Sequence, residues 1–280
     1  MFYDDNSSLT RKQSNFYDEI KFPNYDDVDN YGTLIDKAEI SIFSKKLDEE
    51  IPMMSSVLEV GCGTGQLSLF LSRYNRIIHA IDLSNGSLKL AEKFRKLNKI
   101  PNVYFYKMNL FNLCFRDNSF DVVISNGVLH HTHNTKLAFK SITNVLKPKG
   151  YIVIGLYHKY GRIFTNLMQF INKNITKKIQ YFDTVLTQTI SESKKFAWYK
   201  DQYENPHETS HSLNEVLNWF EEFNIEYLSS VPFDFKQDNK LFNKNLKPKN
   251  INLFIKEISQ SVRPSQIREG GFFIVVGRKL

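Results

Sequence analysis

Residues 55–67 read Ser55-Ser56-Val57-Leu58-Glu59-Val60-Gly61-Cys62-Gly63-Thr64-Gly65-Gln66-Leu67. Residues 57–60 form a short apolar run with a single acid, which is typical of a buried strand. A Gly-Cys-Gly-Thr-Gly turn follows, and residues 66–71 carry apolar side chains at helical spacing. Glycines let a backbone approach a ligand closely, and a helix N-terminus offers free N–H groups. The run therefore predicts a nucleotide-type binding turn between a strand and a helix.

The spacing of the glycines distinguishes between possible ligands. A dinucleotide fingerprint is G-x-G-x-x-G, but here Gly65 comes one residue early and Gln66 stands where that fingerprint has glycine. Glu59 lies inside the strand, two residues before the first glycine. A carboxylate in that position suits a cationic ligand better than a pyrophosphate. This E-x-G-x-G-x-G arrangement resembles motif I of the class I S-adenosylmethionine (SAM)-dependent methyltransferases.

A second carboxylate follows the next apolar run. Residues 76–82 predict a buried strand that ends in Asp82, 21 residues after Gly61. A carboxylate at the end of a strand at about this distance is placed to accept hydrogen bonds from ribose hydroxyls. The alternative is that Asp82 caps the following helix, but Ser84 is better placed for that role.

Two later blocks strengthen the resemblance. Residues 120–131 read Phe-Asp-Val-Val-Ile-Ser-Asn-Gly-Val-Leu-His-His, which resembles the fourth-strand block of small-molecule class I methyltransferases. The Leu-Lys-Pro-Lys-Gly turn at residues 146–150 is also typical of that family. Strands alternate with helices over this region, which predicts a parallel sheet. We expect an α/β fold: a Rossmann-like, seven-stranded, mostly parallel sheet with an antiparallel last strand, helices on both faces and cap insertions.

The resemblance implies a set of cofactor contacts at the ends of four strands. Residues around the glycine turn would hold the methionine end of SAM, and those after the second strand the ribose and adenine. Residues after the third strand would bind the adenine edge, and residues after the fourth strand would flank the sulfonium. Many family members carry Asp where this chain has Asn109. The implied cofactor-binding residues are Glu59, Gly61, Cys62, Gly63, Gly65, Asp82, Leu83, Asn109, Leu110, Asn126 and Gly127.

Three histidines are candidate general bases: His131, His207 and His211. An unperturbed imidazole titrates near neutrality, which suits proton transfer. Residues 207–211 spell H-E-x-x-H, whose zinc chemistry requires a helix. Pro206 precedes the pentad and a capping box begins at Ser212, so we expect a loop there and no metal site.

The predicted organisation has a core and three additions. Residues 1–33, with no strong helix or strand pattern, are a mobile tail or an arm over the cofactor in which Tyr17, Phe22 and Tyr25 give apolar cover. The core comprises residues 34–156, beginning with a helix at 34–47, the helix and sixth strand at 212–231, and the last strand at 270–280. Residues 157–211 form a cap insertion, and residues 232–269, with one helix at 251–262, form a second insertion or lid.

Composition limits the possible partners and locations. The 280-residue chain has a net charge of +7, which permits nucleic acid or an anionic membrane as a partner, but its lysines are scattered. Its two cysteines, Cys62 and Cys114, offer no disulfide framework. No signal peptide is visible, and no apolar run approaches the ~20 residues that span a bilayer. We therefore expect a cytoplasmic protein without a membrane span.

These patterns predict a SAM-dependent methyltransferase that acts on a small-molecule acceptor by O- or N-methylation. Such an enzyme aligns an activated methyl group with its acceptor for in-line displacement and leaves S-adenosylhomocysteine as product. Three alternatives stay open: an NAD(P)-dependent oxidoreductase, a nucleic-acid methyltransferase and a non-catalytic SAM-binding protein. Residues 125–128 read Ser-Asn-Gly-Val, not the N-P-P-[YF] of amino-group nucleic-acid methylases. The identity of the acceptor and the oligomeric state stay undetermined.

Overall fold

Helices and strands alternate through the computed structural model, which describes residues 7–20, 25, 30–175, 183, 186–187, 191–232, 240–245, 257–258 and 271–280. The helices are α1 (Ser7–Ile20), α2 (Tyr31–Ile40), α3 (Ile42–Glu50), α4 (Gln66–Leu71), α5 (Asn85–Leu97), α6 (Thr135–Asn144), α7 (Ile163–Asn174), α8 (Glu192–Tyr203) and α9 (Leu213–Glu222), with a short 3-10 helix at Leu129–His131. The strands are β1 (Ser56–Val60), β2 (Ile77–Asp82), β3 (Val103–Lys107), β4 (Phe120–Asn126), β5 (Leu146–Tyr157), β6 (Ile225–Val231) and β7 (Phe272–Lys279).

The seven strands form one sheet in the order β3-β2-β1-β4-β5-β7-β6. The pairs from β3 to β5 are parallel, and β7 runs antiparallel to both β5 and β6. Because β7 enters from the opposite direction, it needs no crossover helix to lie between its neighbours. The predicted α/β fold with an antiparallel last strand is confirmed.

Helices cover both faces of the sheet because successive strand side chains point to opposite sides. Leu58 and Val60 of β1 face one apolar cluster, in which the rings of Phe139 and Phe220 stack with centroids 5.5 Å apart. Val57 faces a second cluster on the other side. This double burial explains why the central strands are almost continuously apolar.

The helix predicted at residues 34–47 is two helices in the structure, α2 and α3. Ser41 lies between them in an extended conformation, with φ −76° and ψ 112°. Its hydroxyl accepts a hydrogen bond from the Ser44 N–H, 3.3 Å away, and so caps α3. Apolar periodicity alone missed the break, because a serine can offer the backbone a local alternative to helical bonding.

The N-terminal arm contains a helix that its sequence pattern did not predict. Helix α1 contacts α5 and α8, and Ser14 donates to the Leu83 carbonyl oxygen at 3.1 Å. Tyr25 donates to the Thr64 carbonyl at 2.6 Å and stacks on Phe94. Helices α7 and α8 lie within the predicted cap insertion. Phe22 and most of residues 232–269 lie outside the described residues, and of the helix predicted at 251–262 the structure describes residues 257–258.

A buried ion pair anchors the chain between α3 and β2. Arg76 is 1% exposed and Asp48 is 2% exposed. Arg76 donates to Asp48 Oδ1 at 2.6 Å and to the Ile51 carbonyl at 2.7 Å. Removing one member of such a pair leaves the other charge buried without full compensation, which is strongly destabilising.

We expect Arg76→Met to lower the free energy of unfolding by about 3 kcal/mol, because Asp48 would keep only the partly exposed Arg73 as a cationic partner among the described residues and the Ile51 carbonyl would lose its donor. Arg95→Met is the control, since Arg95 pairs with Glu92 at the partly exposed surface and should cost less than about 1 kcal/mol. Urea unfolding measures both values. Equal losses in the two variants would contradict the interpretation.

Candidate active site

A cavity of about 710 Å³ opens at the carboxyl ends of β1, β2 and β4. The strand order reverses between β1 and β4, since the chain leaves β1 toward β2 and later places β4 on the other side. Loops that diverge from such a point leave a crevice in which α/β proteins bind ligands. Helices α1 and α8 form the opposite wall of the cavity, through Leu9, Thr10, Gln13, Tyr17, Trp198, Asp201 and Gln202.

Most of the predicted cofactor-binding residues line this cavity. They are Glu59, Gly61, Cys62, Gly63, Asp82, Leu83, Asn109, Leu110, Asn126 and Gly127. Gly65 does not line it, although it has φ +76°. A Cβ on Gly65 would lie 2.5 Å from the Phe105 ring, so this glycine serves close packing beneath the turn. The role of Gly65 as a ligand contact stays a prediction, and the structure gives this glycine a packing role.

The first glycine of the turn permits a close approach of two loops. Gly61 has φ +76°, which glycine adopts without the steric cost of a Cβ. A Cβ there would lie 2.2 Å from Val128 Cγ2, in the loop after β4. Gly61 therefore lets the loops after β1 and β4 meet at the cavity.

Asp82 connects the glycine turn to the end of β2. Its Oδ2 accepts from the Gly63 N–H and its Oδ1 from the Ser84 N–H, both at 2.8 Å. Burial raises the pKa of Asp82. Ser84 caps α5 by accepting from the Ser87 N–H at 3.0 Å, as the sequence indicated. Asp82 is thus oriented by backbone donors while it lines the cavity, where its oxygens can accept from hydroxyl groups.

Glu59 is a buried carboxyl without a cationic partner among the described residues. It is 6% exposed, and its Oε2 accepts a short hydrogen bond from the Ser68 hydroxyl of α4. Burial, with a smaller contribution from the charge of Asp82, raises the pKa of Glu59 to about 8. A cation entering the cavity would favour the ionised form of this carboxyl. The site therefore fits a ligand with an ammonium group.

The loops after β3 and β4 supply amide side chains. Asn109 Oδ1 accepts from the Phe111 N–H at 3.0 Å, which fixes the side chain while it lines the cavity. Asn126 lies against Gly155 of β5, where a Cβ would come 2.2 Å from Asn126 Oδ1. Gly155 is therefore a supporting residue that the sequence motifs did not identify.

His131 is the predicted base that the structure brings to the cavity. Its Nδ1 lies 2.9 Å from the His207 carbonyl oxygen, which can only accept a hydrogen bond. Nδ1 must therefore carry the proton, and in the neutral ring Nε2 is left with its lone pair. No described protein atom bonds to Nε2, so it can take a proton from a ligand.

His207 and His211, the other two candidate bases, do not line the cavity. His207 contributes its backbone, whose carbonyl also accepts from Gln13 at 3.1 Å. His211 lies between Thr209 and Glu215, with hydrogen-bond distances of 2.9 Å on both ring nitrogens. Residues 207–211 are not helical, as predicted. Among the described residues no group of His, Cys, Asp or Glu side chains is arranged to hold a metal ion.

The wall opposite the glycine turn contains polar groups that the sequence motifs missed. Tyr17 was expected to give apolar cover, but its hydroxyl donates to Asp201 Oδ1 at 3.0 Å and accepts from Asn205 at 3.1 Å. Asp201 is 6% exposed and lines the cavity. Local sequence patterns could not identify these contacts, because Tyr17 lies 184 residues from Asp201 and 188 residues from Asn205.

The fold and this site define a class I methyltransferase domain. Residues 58–154 match the family described as "Methyltransferase domain", and this region is a member of that family. No helix in the described part of the chain has the length and apolarity needed to cross a membrane.

Known proteins with related sequences or folds agree with this assignment. An uncharacterized protein of Synechococcus sp. is 23% identical over 66% of this chain and 51% of its own length. Demethylmenaquinone methyltransferase of Lactococcus lactis is 26% identical over 63% of this chain and 76% of its own length. Geranyl diphosphate C-methyltransferase of Streptomyces coelicolor, solved with Mg²⁺, geranyl diphosphate and S-adenosyl-L-homocysteine, superposes with a TM-score of 0.57 at 11% identity, over 97% of this chain and 98% of that one. The chain spans about half the length of the first curated relatives it matches.

We expect Glu59→Gln to change how stability depends on pH. The folded-state pKa is above the ordinary value, so the folded protein holds more protons and the wild type loses stability as pH rises from about 4.5 to about 8. The glutamine variant lacks this loss, so its urea midpoint should rise relative to wild type between pH 6 and pH 8.5.

Glu226→Gln is the matched control for that measurement. Glu226 pairs with Lys244 and Arg278, which lower its pKa, so it is ionised throughout the same range. Its midpoint should run parallel to wild type. If the urea midpoint of Glu59→Gln also stays at a constant offset from wild type across this pH range, the Glu59 carboxyl is already ionised in the folded protein.

Proposed function

We propose that the protein is a SAM-dependent methyltransferase acting on a small-molecule acceptor. The observation that carries the proposal is the convergence of Glu59, Asp82 and the glycine turn on one cavity within a methyltransferase domain. Bound SAM would supply a methyl group activated on a sulfonium. A cavity of about 710 Å³ lies within the range of small-molecule sites, roughly 300–1,000 Å³.

The residues of the cavity suit the parts of this cofactor. Glu59 would bind the ammonium of the methionine end, and Asp82 would accept from the ribose hydroxyls. Leu83 and Leu110 offer apolar contacts, and Asn109 an amide, for the adenine. Asn126 and Gly127 would lie beside the methyl-donating end, next to His131. The wall made by α1 and α8 would exclude water, which keeps the reacting groups aligned and away from hydrolysis.

His131 would act as the proton acceptor for an acceptor group that must lose a proton before it attacks. The His207 carbonyl holds the Nδ1–H tautomer, so Nε2 is the basic atom. This role needs no movement of His207 or His211. The proton would pass from the acceptor to Nε2 and then to solvent.

Asp82→Ala should weaken SAM binding about 10- to 100-fold, because it removes hydrogen bonds to a charged group. Titration calorimetry with SAM measures this directly. Asp117→Ala, an exposed position before β4, should bind like wild type.

Methyl-labelled SAM incubated with the protein and a cell extract should place label in the small-molecule fraction, and Asp82→Ala should reduce that label. Absence of SAM binding by the wild type would reject the proposed function.

His131→Asn should lower kcat roughly 100-fold with little change in KM, since the asparagine can still donate to the His207 carbonyl but cannot accept a proton. The assay uses the labelled acceptor fraction. Added imidazole should restore part of the rate, which a purely structural defect would not allow. His79→Asn, on β2 between Tyr104 and Tyr106, is the control histidine. Unchanged turnover in His131→Asn would remove His131 from this role.

A further inference from the structure

The cavity is acidic although the protein is basic. Its described lining includes the carboxyl groups of Glu59, Asp82 and Asp201 and no lysine or arginine, in a chain with net charge +7. Glu59 and Asp82 would bind SAM, the proposed cofactor. Asp201, on the opposite wall, is left for whatever binds beside the cofactor.

Asp201 is a buried carboxyl whose hydrogen-bond donors among the described residues are all neutral. Oδ1 lies 3.0 Å from the Tyr17 hydroxyl and 3.4 Å from Asn205 Nδ2. Oδ2 lies 3.1 Å from Gln202 Nε2 and 3.4 Å from the Tyr157 hydroxyl. These donors fix the position of the carboxyl, and no cationic group of the described residues bonds to it.

The buried cation near Asp201 is committed to another acid. Arg162 is fully buried and forms a two-pronged contact with Glu208, with Nε 2.9 Å from Oε1 and Nη2 bonded to Oε2. Among the described residues, Gln202 links the two groups, since it accepts from Arg162 and donates to Asp201. The three charged groups of this cluster, Arg162, Glu208 and Asp201, therefore sum to −1. A buried charge without a partner is costly, so a cation at this wall would be bound favourably.

The surroundings of Asp201 suit an organic cation. Tyr17 and Trp198 line the cavity beside it, and aromatic rings attract cations through their faces. Tyr17 also contacts His131, with ring centroids 6.1 Å apart. The carboxyl and the proposed proton acceptor therefore share one part of the cavity.

We propose that the methyl acceptor is an amine, which enters as an ammonium and is held by Asp201. This inference rests on the proposed function and names its substrate class. The ammonium gives one proton to His131 Nε2, and its nitrogen lone pair forms the N–CH₃ bond as the S–CH₃ bond breaks. Positive charge thereby moves from sulfur to nitrogen, beside a fixed carboxyl that stabilises it, and the proton leaves His131 to solvent.

The test compares matched amines, alcohols and carboxylates on a series of carbon skeletons from ethyl to naphthylethyl. Binding to the whole protein, with and without S-adenosylhomocysteine, is measured by titration calorimetry. Among skeletons that bind, the amine should bind at least 10-fold more tightly than its alcohol, and the carboxylate should bind least. No amine in the series binding more tightly than its alcohol would overturn the inference.

Asp201→Asn tests the residue itself. It should reduce the affinity for amines about 10-fold and leave the alcohols unchanged, with folding checked by thermal unfolding. Asp18→Asn is the matched control, because Asp18 lies on α1 beside Tyr17 but bonds to the Gly86 N–H at 2.8 Å and does not line the cavity. Equal losses in the two variants would assign the effect to net charge and overturn the role of Asp201.

S-adenosylhomocysteine binding separates this inference from the proposed function. Tight binding of S-adenosylhomocysteine without preference for amines overturns the amine proposal alone. Preference for amines without S-adenosylhomocysteine binding overturns the proposed function and leaves Asp201 as an amine-binding group.

Discussion

The reversal of strand order between β1 and β4 is the constraint on which the other features of this protein depend. Parallel strands end at the same edge of a sheet, and here the loops diverge to either side of β1. The core's contribution to the cavity lies at that edge: the glycine turn after β1, Asp82 at the end of β2, and the loop after β4 that carries His131. Gly61 is needed because the loops after β1 and β4 come too close for a Cβ.

Four buried carboxyl groups differ in the partners that stabilise them. Asp48 is compensated by Arg76, which makes the pair part of the scaffold. Asp82 is held by two backbone N–H groups and Glu59 by a serine hydroxyl. Asp201 is held by four neutral donors. The last three line the cavity, where desolvation makes them strong partners for a ligand's donors or positive charge.

The half of the site formed by the core could be predicted from sequence, while the opposite wall could not. Glu59, Asp82, Asn109 and Asn126 each follow or end a strand that hydrophobic patterning identifies, so sheet topology alone brings them together. Tyr17 and Asp201 meet across 184 residues, and no local pattern encodes that contact. The same limit applies to His207 and His211: they follow Asp201 closely in the sequence, but none of residues 203–211 lines the cavity.

The sequence by itself indicated alternating strands and helices, the glycine turn and the loop conformation of residues 207–211, and the resemblance to a known family added the antiparallel last strand. The first three features follow from periodicity, glycine spacing and capping residues, which act over a few positions. Only the tertiary structure decided that Ser41 divides a helix, that Gly65 packs against Phe105, and which nitrogen of His131 bonds to the His207 carbonyl. These outcomes depend on contacts between distant segments, and their free energies arise only when packing removes water from both partners.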